Sequence, residues 1–302
     1  MDLDESKEQG WRGKLMTTDI VKMKKSNLIT IGKFYHGFWK HLIIIFLCIS
    51  VIFPIYFMVI TSVKTQQQYL SNLWSITPPF IFSNFVEAFR GRFLSWFTNS
   101  AILTVGAVIL GTFFSSLMAF AFSKMKFKGK NALLSSIVSL MVIPPASIII
   151  PIFILWAKVG LVNTHLGVII IYTGMILPFS VFLLTNFFKT IPKEIIEAAI
   201  IDGCSTFQIY RMIVMRLSVP ALITNIIVNA VWVWNELFVA MILLNTDKTK
   251  TLMVGLAVFK THYNVNIPVL MSGLFISMIP MLILYLFGQK FLIKGLITGY
   301  NK

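Results

Sequence analysis

Acidic residues are scarce in this sequence. Among its 302 residues are 11 aspartates and glutamates against 26 lysines and arginines, and charged residues together make up only 12%. Water-soluble domains usually carry about a quarter charged residues. With a hydrophobic fraction of 57% and a mean hydropathy of +0.83, the composition excludes an ordinary soluble domain and is typical of a chain that lies in a bilayer.

The sequence also lacks the motifs of several chemistries. Its two cysteines, Cys48 and Cys204, fall in or beside apolar segments without metal-ligand spacing, so neither a disulfide framework nor a metal site is predicted. Lysines and arginines lie in gaps between apolar runs, which argues against nucleic acid as a partner. No G-x-x-x-x-G-K-[ST] phosphate-binding loop occurs. No catalytic residue is predicted, because the histidines form no pair with a carboxylate at metal-ligand spacing: His36, His41, His165 and His262.

Long apolar runs occupy most of the chain. A helix needs about 20 apolar residues to span the hydrocarbon, and a lipid-exposed backbone must satisfy its own hydrogen bonds, which favours helices. The first run is too long for a signal-peptide core and lacks a cleavage pattern, so it is interpreted as a retained span. The predicted fold class is an all-α integral membrane protein with six transmembrane helices, at residues 42–63, 96–123, 131–157, 165–188, 217–244 and 268–289.

The charges of the loops predict how these spans are oriented. Six spans put both termini on the same side. The termini, the loop at 124–130 and the segment 188–216 hold 19 of the lysines and arginines, and the other loops hold 7. The positive-inside rule places the richer side, with both termini, in the cytoplasm. The predicted domains are therefore a cytoplasmic arm at 1–41, a six-helix transmembrane domain at 42–293 and a cytoplasmic tail at 294–302.

Prolines interrupt the predicted spans, most densely in the run "MVIPPASIIIP". Proline removes a backbone hydrogen bond and kinks a helix, and membrane helices tolerate this when neighbouring groups satisfy the freed carbonyls. Two interpretations stay open at this point. The prolines either break helices around a transport pathway, or they reflect the general frequency of proline in membrane helices.

The gap between the fourth and fifth spans, residues 188–216, contains the stretch "EIIEAAIIDG" with three of the acidic residues. Thr190 suits a helix cap and Pro192 a first turn. Glu194 suits the positive end of the helix dipole, and Gly203 suits a left-handed stop. The pattern predicts a short amphipathic helix, a turn and a second helix. Such a helix can bind a groove on another protein, or the segment can be a loop with a solvated charged face.

The same stretch resembles a cytoplasmic motif of the inner-membrane permeases of ABC importers. In that motif Glu-Ala-Ala is followed by three residues, Gly, nine residues, Ile, one residue and Leu-Pro. Here residues 197–199 are Glu-Ala-Ala, Gly203 follows after three residues and Ile213 after nine more. Met215 and Arg216 stand in place of Leu-Pro. The resemblance implies that this is a coupling helix whose residues contact an ATPase: Glu194, Glu197, Ala198, Ala199, Asp202, Gly203 and Ile213.

The resemblance extends from about Leu42 onward and narrows to the carbohydrate branch, the maltose-type permeases. The segments that carry it are "MAFAFSKMKFKGK", "MVIPPASIIIPIFILWAKVGLVNTHLGVIIIY", "LPFSVFLLTNFFKTIP", "VWVWNELFVAMILLN" and "QKFLIKGLITGYNK". It implies a second related permease subunit, a cytoplasmic ATPase dimer that holds ATP and Mg²⁺, and an extracytoplasmic sugar-binding protein as partners. It also implies that this chain binds no cofactor itself and lies in a bacterial cytoplasmic membrane.

Glu236 is the only acid inside a predicted span, and ionisable residues at membrane depth indicate function by default. If the fifth span begins near Ala221, Glu236 lies about 22 Å along it. Amides and aromatic faces suit sugar hydroxyls and rings, so Asn229, Trp232, Asn235 and Glu236 are a candidate substrate path. The alternative is that these residues only pack or pair helices.

The predicted function is that of a permease subunit of an ATP-driven ABC importer for a sugar or oligosaccharide. A permease for another solute is the first alternative, because the coupling motif is shared more widely than the carbohydrate features. An ion-coupled secondary transporter would need paired intramembrane charges, and a membrane-embedded enzyme would need a catalytic constellation at one depth. The sequence shows neither of these.

Overall fold

The structure is a computed structural model that describes residues 39–90, 92–262 and 266–297. Every regular element among these residues is helical, which confirms the all-α fold class. The predicted arm at 1–41, apart from its last three residues, lies outside the described residues, and so does the end of the predicted tail, 298–302.

The helices are numbered in chain order, and several of them are single turns. They are α1 Trp39–Ser62, α2 Gln66–Ser71, α3 Ser83–Phe89, α4 Phe93–Lys124, α5 Lys130–Ser139, α6 Pro145–Lys158, α7 His165–Thr190, α8 Lys193–Ile201, α9 Thr206–Gln208, α10 Met215–Leu217, α11 Val219–Asn235, α12 Phe238–Leu243, α13 Leu252–His262 and α14 Ile267–Ile297. A 3₁₀ turn, Leu140–Val142, follows α5, and a π-helical segment, Ile209–Val214, joins α9 to α10.

Four of these helices are individually long and apolar enough to cross a membrane: α1, α4, α7 and α14. Two further spans are bent. Residues 130–142 and 145–158 meet at 98°, and residues 206–217 and 219–235 meet at 75°. With each bent pair counted as one span, the six predicted spans are all present. The break in the third span falls at Pro144, where the sequence concentrates its prolines and the chain is extended before α6.

The fifth span is not the continuous helix predicted at 217–244. Its regular helix α11 ends at Asn235, and Glu236 has an extended backbone with φ −70° and ψ 122°. The six-residue helix α12 follows after this break. Neither glycine nor proline marks the break, and the hydrogen bonds of the Glu236 carboxylate, described below, account for it.

The chain divides into two compact units at Met58. In the first, the side chains of α1 are exposed from Trp39 to Tyr56, and nearly all of them are apolar. A helix that is hydrophobic all round suits a lipid environment.

In the second unit, α4 and α7 run parallel and approach closely through small residues. Gly106 lies against Ile169 and Gly111 against Ile176, and a Cβ on Gly111 would lie 2.4 Å from the Ile176 Cδ1 atom. Membrane helices commonly associate in this way, because without a side chain on one helix the other can approach its backbone. The close contact places Leu103, Val168 and Tyr172 in a common buried cluster.

Helix α11 runs antiparallel to α4, because Asn225 donates a hydrogen bond to Thr112 near one end while Trp234 packs against Phe97 near the other. Helix α14 is in turn antiparallel to α11, because Thr224 Oγ1 donates to the carbonyl of Phe291 and Trp234 Nε1 donates to the carbonyl of Ser277. These directions bring the loops together at two ends. The "α8 end" comprises residues 124–130 and 190–218, and the "α12 end" comprises residues 62–90, 159–164 and 236–251.

Candidate functional site

Helix α8 is a nine-residue helix between the fourth and fifth spans, as the sequence predicts, but it begins differently. Thr190 does not cap it; this residue ends α7, and its hydroxyl donates to the carbonyl of Phe187 at 2.7 Å. The cap position is Pro192, which makes no side-chain hydrogen bond. The residue before a proline is held away from helical geometry, and Ile191 accordingly has an extended backbone with ψ 122°. The chain therefore turns sharply from α7 into α8.

The turn after α8 is closed by backbone hydrogen bonds. Gly203 has φ +79°, the left-handed conformation that glycine adopts without strain. Its N–H donates to the carbonyl of Ile200 at 3.0 Å, and the N–H of Cys204 donates to the carbonyl of Ala199 at 2.9 Å. Asp202 is the C-cap residue. The predicted glycine stop is thus present, and it fixes where the next helix begins.

One face of α8 is buried and the other is open. Ala199 is the single buried residue of the helix, and it belongs to a cluster with Phe188, Tyr210 and Val214. Ile201, the last residue of the helix, is 85% exposed. The exposed remainder of the helix combines acids, a small residue and large apolar residues: Glu194, Ile195, Glu197, Ala198 and Ile200. Large apolar side chains exposed on a short polar helix are typical of a protein-binding face.

The segment after the turn is attached to the bundle by a tyrosine. Ser205 and Gln208 form a reciprocal capping box at its start. The Tyr210 hydroxyl and the Ser116 hydroxyl of α4 are 2.8 Å apart in a buried hydrogen bond, and the Tyr210 ring meets Phe120 edge-on at 5.4 Å. Tyr210 lies in the π-helical segment, a rare geometry that often marks functional sites.

The helical segment continues past the positions where the family motif has Leu-Pro. Met215 and Arg216 are helical here. The chain bends instead at Ser218, and Pro220 occupies the first turn of α11, where its missing N–H costs nothing. The regular helix α11 therefore begins at Val219, two residues after the predicted start of the fifth span at 217.

The structure brings the seven predicted coupling residues to one end of the second unit. Six of them lie on α8 or its turn. Ile213 packs against the cluster that holds Ala199. Two residues that the sequence argument did not single out support this arrangement: Tyr210, and Lys124, whose ammonium donates to the carbonyl of Ile191 at 2.8 Å. Their roles depend on partners in other helices, which the pattern of a single segment does not reveal.

The four residues of the predicted substrate path do not share one environment. Asn229 is buried, and its amide donates to the hydroxyl of Ser180 at 2.8 Å and to the side-chain oxygen of Asn225 at 3.0 Å. Trp232 and Asn235 are exposed. The amide of Asn235 donates only to a carbonyl of its own helix. Asn229 is thus part of a polar link between helices, while Trp232 and Asn235 are open to a ligand or a partner.

Glu236 has three hydrogen-bond donors around its carboxylate. The Tyr172 hydroxyl donates to Oε2 at 2.6 Å, and the backbone N–H groups of Val239 and Ala240 donate at 2.9 and 3.2 Å. A carboxylate at the first turn of a helix satisfies its free N–H groups. Glu236 therefore caps α12 and joins it to α7, and this accounts for the break in the fifth span. The Trp232 ring lies edge-on to Tyr172 at 6.1 Å.

Comparison with known proteins identifies the class to which this architecture belongs. Residues 111–297 match the family described as the inner membrane component of binding-protein-dependent transport systems. The chain is 42% identical to a putative ABC transporter permease, ORF2, of Caldicellulosiruptor sp. (strain Rt8B.4), over 82% of this chain and 91% of the relative. The chain belongs to this permease family, and it is a multi-pass protein of the cytoplasmic membrane.

A second relative agrees with this assignment, and a solved structure shares the fold. The chain is 34% identical to the melibiose/raffinose/stachyose import permease MelC of Bacillus subtilis (strain 168), over 82% of this chain and 91% of the relative. Its fold matches a chain in the crystal structure of a bacterial ABC transporter involved in alginate import, with a TM-score of 0.76 and 24% identity. That match covers 84% of this chain and 95% of the other.

Proposed function

We propose that this chain is the permease subunit through which an ATP-driven importer moves a sugar or oligosaccharide into the cell. The family match supports the transport role, and the relative that imports melibiose, raffinose and stachyose supports the substrate class. The observation that carries the mechanism is the exposed face of α8, held on the bundle by Ala199 and lying between two membrane spans.

In this proposal α8 is the coupling helix of the chain. Its exposed isoleucines and alanine enter an apolar groove of a cytoplasmic ATPase, and Glu194 and Glu197 pair with polar groups at the groove edge. ATP and Mg²⁺ are bound by that ATPase. Closure of the ATPase dimer moves α8, and the contact of Tyr210 with Ser116 passes the movement to α4. The α8 end then faces the cytoplasm, as the distribution of lysines and arginines predicts.

The α12 end faces outward in this proposal and receives the sugar from an extracytoplasmic binding protein. Large apolar side chains are exposed there on short helices and loops, among them Leu70, Phe82 and Val86. A second related permease completes the pathway. Trp232 and Asn235 present an exposed aromatic ring and an exposed amide to this pathway, beside Glu236. Rocking of two such bundles around a central site is a common transport mechanism.

The test is the Glu197→Lys variant of the tagged full-length chain, purified in mild detergent from its native membrane. We expect the wild type to recover an ATPase and a second six-span subunit, and the variant to lose the ATPase while it still inserts. Glu87→Lys, the same charge change on α3 at the α12 end, serves as the matched control and should retain the ATPase. Uptake of labelled raffinose and melibiose in cells then measures the substrate class.

Two outcomes would contradict the proposal. If the ATPase stays bound to the Glu197→Lys protein and uptake is normal, α8 is not the coupling helix. If uptake persists when cellular ATP is depleted but stops when the ion gradients collapse, an ion-coupled transporter replaces the importer.

A further inference from the structure

An open groove lies beside the loop between α4 and α5, at the α8 end, and none of its lining residues belongs to α8 or to the predicted substrate path. Its volume is about 390 Å³, and it is lined by Met125, Lys126, Phe127, Gly129, Lys130, Asn131 and Ala132. This volume falls within the usual range of small-molecule sites, about 300–1,000 Å³. We infer that this groove binds the headgroup of an anionic phospholipid.

The charge of the groove is strongly positive. Lys126 and Lys130 line the groove, and Lys128 lies in the same loop without lining it. Lys126 and Lys128 are exposed, and neither forms an ion pair in the described part of the chain, where the acid in both salt bridges is Asp247 at the α12 end. The ammonium of Lys130 donates to the carbonyl of Met125 at 2.9 Å, so the two ends of the loop are joined where they line the groove. The lysines therefore attract an anion that the protein itself does not supply.

Further lysines strengthen this field. Lys189 at the end of α7 interacts electrostatically with Lys130, and Lys193 at the start of α8 interacts with Lys124. Like charges held close together repel one another, and a bound anion relieves this repulsion. The loop that forms the groove is thus flanked by two pairs of interacting lysines, Lys130 with Lys189 and Lys124 with Lys193.

The position of the groove favours a lipid over a free anion. Only five residues separate the apolar helix α4 from α5, so the loop lies at the membrane surface. Met125 and Phe127 are exposed beside the lysines, and the Phe127 ring is held 6.0 Å from that of Phe122. A phospholipid supplies both a phosphate for the ammonium groups and a hydrocarbon boundary for the apolar side chains, whereas inorganic phosphate supplies only the first.

The groove also lies close along the chain to the hydrogen bond that positions α8. Lys124, the last residue of α4, donates to the carbonyl of Ile191, two residues before α8 begins. Lys126 is two residues from Lys124, so a headgroup bound beside Lys126 lies close to the hydrogen bond that positions α8. We expect anionic lipid to stabilise this arrangement.

The experiment is a lipid titration of the full-length chain, purified with its partners and followed by native mass spectrometry. Phosphatidylglycerol and phosphatidylcholine with identical acyl chains are compared. We expect tighter binding of phosphatidylglycerol, and we expect the Lys126→Gln/Lys128→Gln variant to bind it about 10- to 30-fold more weakly, since each lysine near an anionic surface contributes about 1 kcal/mol. Lys158→Gln/Lys248→Gln removes the same charge elsewhere and should leave the affinity unchanged.

Four results would overturn the inference. Wild-type phosphatidylglycerol affinity in the Lys126→Gln/Lys128→Gln variant, or an equal loss in the Lys158→Gln/Lys248→Gln control, would exclude a site in this groove. Complete displacement of the lipid by 10 mM inorganic phosphate would show a site for free anions instead. Unchanged lipid binding together with loss of the ATPase would show that the groove faces an acidic protein surface.

Discussion

The two ends of the second unit are held together by different kinds of contact. At the α12 end, polar side chains join segments far apart in the chain. The Asn99 amide donates to the carbonyls of Lys248 and Lys250 at 2.8 and 2.9 Å, and the Ser272 hydroxyl donates to the carbonyl of Ser62 at 3.1 Å. Such bonds bind separate helices and loops into one rigid piece.

Lys64 is the most completely enclosed charge of the α12 end. Its side chain is only 1% exposed, and its ammonium donates to the carbonyls of Asn72 and Leu73 at 2.9 and 3.0 Å. Burial lowers the pKa of this ammonium below its usual value. Asn84 holds the backbone around Lys64 in place by donating to the carbonyls of Ser62 and Lys64.

At the α8 end, most hydrogen bonds are local. The capping box of Ser205 and Gln208 and the glycine turn at Gly203 join residues within a few positions of one another. Two bonds of longer range, from Lys124 to Ile191 and between Ser116 and Tyr210, attach the segment to the bundle. The α8 end therefore keeps its own shape and has few attachments, as suits a segment that transmits motion from a partner.

The largest expected effect is at the α12 end. Glu236→Leu leaves the Tyr172 hydroxyl and two backbone N–H groups without their acceptor, and we expect a loss of about 3 kcal/mol in unfolding free energy. Unfolding by SDS in mixed micelles measures it. Glu236→Gln keeps an acceptor and should lose clearly less. Equal stability of the Leu variant and wild type would mean that the break before α12 does not depend on this cap.

Asn99→Leu tests the long-range contacts of the same end. The variant leaves two carbonyls of the α12-end loop without a donor, and we expect a loss of about 2 kcal/mol in the same assay. Asn235→Leu is the matched control, because its exposed amide bonds only within its own helix. If both variants lose the same amount, the long-range contacts contribute nothing particular to this end.

Gly203→Ala tests the glycine turn of the α8 end. A Cβ at Gly203 meets nothing within 4 Å, so the effect comes only from the positive φ, and we expect a loss of about 1 to 2 kcal/mol. Gly174→Ala is the control: it too meets open space, but it lies within the helix α7, where alanine should stabilise by about 0.5–1 kcal/mol. Effects of the same sign at both glycines would contradict the role of φ.

Tyr210→Phe removes one hydrogen bond between the α8 end and the bundle. We expect a loss of about 1 kcal/mol in unfolding free energy. We also expect a proportionally larger loss of transport rate, since the bond joins the coupling segment to α4. Ser116→Ala and the double variant complete a mutant cycle. Additive effects of the two substitutions on stability would show that the hydroxyls do not interact.

The sequence predicted the features of this chain that depend on local pattern. Hydrophobic runs of sufficient length gave the six spans, since a bilayer requires about 20 apolar residues. The third span breaks among its three prolines, which is one of the two interpretations that the sequence left open, whereas Pro178 and Pro280 lie inside continuous helices. Around α8, Gly203 predicted the stop because glycine adopts positive φ readily, whereas the predicted cap at Thr190 was wrong because Pro192 holds the preceding residue in an extended conformation.

The coupling and substrate roles remain predictions, but the structure changes what individual residues contribute to them. The sequence grouped Asn229 and Glu236 as polar residues of one span. In the structure Asn229 bonds to Ser180, and Glu236 caps α12 and bonds to Tyr172. These partners lie about 50 to 60 positions away on α7, and no spacing within a single segment indicates them.

The sequence by itself therefore determined the class of environment, the number of spans and the short helix α8, because apolar length, proline and glycine act over a few neighbouring residues. Only the tertiary structure decided where the fifth span breaks, which polar residues join helices and which remain exposed. Those outcomes depend on hydrogen bonds such as that from Tyr172 to Glu236, which form only when distant helices pack and must satisfy their buried polar groups.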